Sequence, residues 1–100
     1  MSAVGLLEVY GLVSAFAAAD AACKAANVTI EAFDKNKPAN ADNLPIPLLI
    51  CVKLRGSISD VKMAMEAGIQ AANEHGGVMM SHVIARPEED TEQILAINAF

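Results

Sequence analysis

The sequence predicts an α+β domain, a four-stranded antiparallel sheet with helices on one face, closed by a short C-terminal helix. Two observations carry this. Four short runs are rich in Val, Ile and Leu, while two longer segments repeat apolar residues every three or four positions. Their order is strand, helix, strand, strand, helix, strand, helix. That order is the split β-α-β arrangement of ferredoxin-like domains. The chain has 100 residues, enough for one domain, so residues 1–100 are read as a single unit.

The first strand is read in Val4 to Val13, where β-branched and aliphatic residues dominate. Ser14 is placed to cap a helix from about Ala15 to Ala26. Phe16, Ala19, Cys23 and Ala26 fall on one face of it, and Asp20 and Lys24 sit four apart on another. Val28 to Phe33 alternates as the second strand. A loop follows from Asp34 to Pro47, holding three prolines and three asparagines. Irregular stretches of this length in small domains often carry function. Leu48 to Leu54 is the third strand and ends at Arg55-Gly56. Ser57 and Asp60 then form a capping box for a helix from Ile58 to about Glu74. Val61, Met65, Gly68, Ile69 and Ala72 make its buried stripe. His75-Gly76-Gly77 stops it, Val78 to Ala85 is the fourth strand, and Pro87 opens an acidic third helix through Glu88, Glu89 and Asp90.

The hydrophobic fraction is 54% with only 4% aromatic residues and no Trp, so the apolar content is aliphatic and small. The mean hydropathy of +0.37 is high for so short a chain. It excludes disorder and leaves a surplus for burial between subunits. Seven basic against twelve acidic residues give a net charge of −5. With no basic stripe among aromatics, nucleic acid is not an expected partner. Nor is a membrane: the apolar stretch from Val9 to Ala19 is about half the ~20 residues a spanning helix needs. It is not read as a secretory signal either, because no Lys or Arg precedes it and Glu8 interrupts it. Cys23 and Cys51 have neither metal nor redox spacing and are read as free buried thiols, so a cytoplasmic location is expected.

No catalytic constellation stands out. Cys51 and His82 lie inside strands, where a core cysteine and a surface histidine explain them better than a nucleophile and its base. His75 and His82 lack carboxylate or cysteine neighbours at ligand spacing, so no metal site is expected. Glu88, Glu89 and Asp90 suit a helix N-terminus electrostatically. Gly56 is isolated and Gly76-Gly77 follows a helix, so no phosphate cradle is present. The scattered methionines are read mostly as core filler.

Several short motifs resemble one family in order along nearly the whole chain. Gly5-Leu6-Leu7-Glu8-Val9-Tyr10-Gly11-Leu12-Val13 resembles the first strand of bacterial microcompartment shell proteins, the BMC-domain family. Asp20-Ala21-Ala22-Cys23-Lys24-Ala25-Ala26 resembles its first helix, and Val52-Lys53-Leu54-Arg55-Gly56-Ser57 its strand-to-helix junction. Ala67-Gly68 and His82-Val83-Ile84-Ala85-Arg86-Pro87 are similar to its second helix and last strand.

The resemblance implies a structural shell subunit rather than an enzyme. Such chains form flat homo-hexamers that meet other shell proteins edge to edge around enclosed enzymes. Small metabolites pass a central pore. By the same resemblance Lys24 and Arg86 are hexamer-edge contacts, and the loop between the second and third strands lines the pore. In the family that loop is usually a short Gly/Ser-rich turn, whereas here it is the Asn- and Pro-rich segment from Lys35 to Pro47. The expected pore-lining residues are Asn40, Asp42, Asn43, Leu44 and Pro45. Some relatives hold an iron–sulfur cluster on a pore cysteine. This loop has none, so no cofactor is expected. The competing reading is a ferredoxin-like oligomeric regulatory protein that binds a small ligand at subunit interfaces, with the long loop as lid and Lys53 or Arg55 holding an anion.

Overall fold

The central strand β1 (Ala3–Tyr10) hydrogen-bonds antiparallel to β3 (Leu49–Gly56) on one side and to β4 (Val78–Ile84) on the other, while β2 (Thr29–Asn36) pairs antiparallel with the outer side of β3. The sheet order is therefore β2-β3-β1-β4. These features come from a computed structural model that describes residues 2–36 and 48–97. Helices α1 (Leu12–Ala25) and α2 (Ile58–Asn73) supply the β-α-β crossovers, and α3 (Glu89–Leu95) follows β4.

Alternation along the strands decides what each sheet face meets. Ile50, Val52 and Leu54 join Leu7 and Val9 in a core cluster with Ala15, Ala18 and Ala22 of α1 and Val61, Ala64 and Met65 of α2. The two helices cover this face. Their facing positions are mostly alanine, and small side chains let the helix axes approach.

The turn from β1 to α1 differs from the sequence expectation. The strand ends at Tyr10, and Gly11 takes φ 90°, a left-handed conformation that glycine adopts without steric penalty. Its amide donates to the Leu48 carbonyl at 2.8 Å. The helix therefore begins at Leu12, and Ser14 is not its cap. Ser14 is buried, and its Oγ accepts a hydrogen bond from the Gly76 amide at 2.6 Å. A Cβ at Gly76 would stand 2.1 Å from the Tyr10 carbonyl oxygen, so the α2–β4 turn packs on the β1–α1 turn only with glycine there.

The α1 stripe is also rotated from the expected one. Ser14, Ala15, Ala18, Ala19 and Ala22 are buried, whereas Phe16 and Cys23 are exposed. Close approach to α2 selects the alanine face, and the bulky Phe16 is turned outward. Helix α2 follows its expected pattern. Ser57 Oγ accepts from the Asp60 amide at 3.1 Å and donates to its carboxylate at 2.8 Å, closing the cap. Val61, Met65, Gly68 and Ala72 are buried, with Ile69 packed at the core margin. Among the described methionines only Met65 is core filler; Met63, Met79 and Met80 are exposed.

Strand β2 runs three residues beyond Phe33, through Asp34, Lys35 and Asn36, which pair with Cys51, Ile50 and Leu49. The first part of the expected loop is thus sheet. Helix α3 is tied from the face opposite α1 and α2, because Lys53 and Arg55, which hold it, alternate with the core residues Val52 and Leu54.

Candidate functional site

The two ends of the sheet carry different parts of the expected machinery. At one end Tyr10 and Asn36 both pair with Leu49, and Val9 pairs with Val78. Residues 37–47 join Asn36 to Leu48, so this loop is attached at that end. The opposite end is marked by the pairs Ala3–Gly56, Thr29–Arg55 and Val4–Ile84. Helix α1 starts beside Tyr10 and returns toward Thr29, which brings Lys24, in its last turn, to the far end. Arg86 follows Ile84 by two residues and is exposed at that same end. An eight-residue strand at about 3.3 Å per residue separates the two ends by roughly 25 Å.

Lys24 is fully accessible and pairs with Asp20 at 2.7 Å. The Asp20 hydrogen bond and charge hold its ammonium pKa above the ordinary lysine value. The pair is an exposed i,i+4 contact of the weak surface class, which leaves the lysine able to change partners. The expected pore residues Asn40, Asp42, Asn43, Leu44 and Pro45 lie outside the described residues.

The face opposite the two long helices holds a charged cluster. Lys53 is buried, with its Nζ 2.5 Å from an Asp34 carboxylate oxygen. It also donates to the carbonyls of Leu95 at 3.0 Å and Ile97 at 2.8 Å. Arg55 donates through Nε to Glu31 at 2.7 Å and pairs through its second arm with Glu92. Both cations are therefore committed to holding α3 and β2. That overturns their assignment as anion ligands in the regulatory reading, because a bound anion would have to displace two carboxylates and two carbonyls.

Beside this cluster, Leu6, Glu8, Cys51, Met80 and His82 line a shallow concavity of about 180 Å³. Cys51 is half-buried on this outer face rather than in the core as expected. Burial, then the Glu8 carboxylate, pushes its thiol pKa up to about 11. A protonated thiol is a poor nucleophile at neutral pH, so Cys51 and His82 make no catalytic pair. Cys23, expected to be buried, is exposed on α1. Among the described residues, no three His, Cys, Asp or Glu side chains converge as a metal site, and no helix is long and apolar enough to span a membrane.

Sequence reasoning missed the apolar edges. Val13, Phe16 and Ile30 are exposed along the β2 side, and Met79 and Met80 along β4. The spacing Ala15, Ala18, Ala22 was the available signal that Phe16 faces outward.

Comparison with known proteins agrees with this geometry. Residues 3–87 match the BMC domain family. The carboxysome shell protein CcmK2 of Synechocystis sp. is 37% identical over 97 residues, covering 95% of this chain and 85% of that protein. The bacterial microcompartment shell protein PduA of Citrobacter freundii is 40% identical over 93 residues, covering 93% and 90%. A crystal structure of a microcompartment protein from Desulfitobacterium hafniense DCB superposes with a TM-score of 0.72 at 23% identity. It matches 96% of this chain, which spans 47% of that longer one, and it supports the fold alone.

Proposed function

Since the chain belongs to the BMC domain family, we propose that it is a structural shell subunit of a bacterial microcompartment, assembled as a cyclic hexamer with a central pore. It tiles with other shell proteins around enclosed enzymes in the cytoplasm, binds no cofactor and performs no catalysis. The observation that carries this reading is the identity to CcmK2 and PduA along nearly the whole chain. The placement of the 37–47 loop at one sheet end, with Lys24 and Arg86 at the other, agrees with it. Six loop ends gathered on an axis put Lys24 and Arg86 on the rim.

In that arrangement Asn40, Asp42 and Asn43, with Leu44 and Pro45, surround the axis. Their amides and carboxylates would hydrogen-bond small polar solutes without holding them tightly. Six Asp42 carboxylates would repel anions and favour neutral or cationic metabolites. Lys24 and Arg86 would reach across the seam to neighbouring tiles, where a lysine donates to backbone carbonyls and an arginine fork bridges two acceptors. Electron microscopy of the overexpressed chain tests the reading. Sheets, tubes or hexagonal arrays are expected, with the mass of six chains by light scattering. A small soluble ring that never tiles would overturn it.

A further inference from the structure

A closed ring of more than two identical copies is built from a heterologous contact, in which one patch of each subunit meets a different patch of the next. The sheet order β2-β3-β1-β4 leaves two outer strands, β2 and β4, on opposite sides of the subunit. Both sides expose large apolar residues. On the β2 side, Val13 and Phe16 of α1 are 69% and 60% exposed, and Ile30 of β2 is 46% exposed. The Phe16 ring packs on Phe33 with centroids 5.5 Å apart, which joins α1 to β2. Ile30 and Phe33 pair with Leu54 and Val52, both core residues, so these side chains share the helix-bearing face and form one strip with Val13 and Phe16. On the β4 side, Met79 and Met80 are 46% and 61% exposed. As consecutive strand residues they project to opposite faces and flank the edge.

The two sides suit each other. Strand β4 (Val78–Ile84) contains no Asp, Glu, Lys or Arg, as the core of an interface requires. Methionine is flexible and packs favourably against aromatic rings. A lone exposed apolar residue needs no explanation, but a strip on one flank and a thioether pair on the other are what a ring demands. We propose that the ring closes by seating the β4 edge of one copy, through Met79 and Met80, on the Val13–Phe16–Ile30 strip of the next copy. This rests on the cyclic assembly proposed above and assigns its subunit contact.

The test uses complementation in the full-length chain. Phe16→Glu spoils the strip, and Met79→Glu combined with Met80→Glu spoils the edge. Each variant alone should fall from hexamer to monomer by sedimentation, with unchanged far-UV circular dichroism, because all three residues are already exposed. Val13→Lys gives a second, independent lesion in the strip. Mixed at high concentration, the two Glu variants retain one intact contact between them and should form heterodimers that cannot close. Hexamers from either variant, homodimers of one variant, or no heterodimer on mixing would overturn the assignment. A wild-type protein that is itself monomeric would instead overturn the cyclic reading on which the assignment rests.

Discussion

Lys53 on β3 and Asp34 on β2 form an ion pair of 2.5 Å in which the lysine side chain is only 5% exposed. The same ammonium donates to Leu95 and Ile97, so one buried cation joins an outer strand, an inner strand and the end of α3. A charge removed from water in this way is tolerable only when its donors are satisfied, and here carboxylate and carbonyls satisfy it.

Replacing Lys53 by Met keeps the stem's packing and removes the ammonium. Loss of a buried charged hydrogen-bond centre should lower stability by about 2–4 kcal/mol. Urea unfolding measures that loss. Limited proteolysis should show residues 89–97 cleaved faster than in the wild type, since α3 loses its anchor.

Lys24→Asp sets two carboxylates four residues apart on α1, a repulsion of a few tenths of a kcal/mol. Hexamers should survive gel filtration, while sheet formation seen by electron microscopy should stop. Arg86→Ala should act in the same direction. Unchanged sheets in both variants would remove these residues from the tile edge.

The two thiols should separate cleanly by reactivity. With a pKa of about 11, Cys51 is ionised to about one part in a thousand at pH 8. Cys23, exposed on α1, should react with a maleimide or disulfide reagent first, and Cys51 only after denaturation. Mass spectrometry of the labelled protein reads the order.

The raised Cys51 pKa also sets a pH dependence. The folded state holds this proton more tightly than the unfolded state, whose thiol titrates near the ordinary value of 9.0. The stabilisation is complete below that value and is lost as pH rises toward about 11. Thermal melts between pH 8 and 11 should fall less steeply in Cys51→Ala than in the wild type.

Gly76→Ala would drive a methyl group into the Tyr10 carbonyl, a backbone atom with little freedom to move. A loss of about 2–3 kcal/mol is expected. Ser14→Ala, which deletes only the acceptor for the Gly76 amide, should cost about 1–2 kcal/mol. The two melts together separate shape from hydrogen bonding at this junction.

What the sequence disclosed was local. The Ser57–Asp60 cap and the Val61–Met65–Ala72 stripe of α2 were legible because their determinants lie within a few positions of one another. The first turn of α1 was misplaced because Gly11 and Ser14 both suit a helix start. Only the Gly76 amide, 62 residues on, explains why Ser14 lies inside. Cys51 was misassigned to the core because β3 is apolar throughout, and strand alternation is hidden when both faces are covered. The Lys53–Asp34 contact and the attachment of α3 join residues distant in sequence, and neither spacing nor composition encodes that. Lys24 and Arg86 were found through resemblance to a family, and the structure adds that they share one end of the sheet.

The alanine packing of α1 against α2 reaches beyond stability. One sheet and one helix layer are the fewest that can enclose a hydrophobic core, and small facing side chains keep even that pair thin. The subunit measures 40 × 29 × 17 Å along its principal axes. A wall built from such plates laid flat is a short diffusion path, and transit time falls with the square of the thickness crossed. Thinness of the lamina would thus let solutes be sorted at the aperture, where residues meet them, with little delay added by the wall itself.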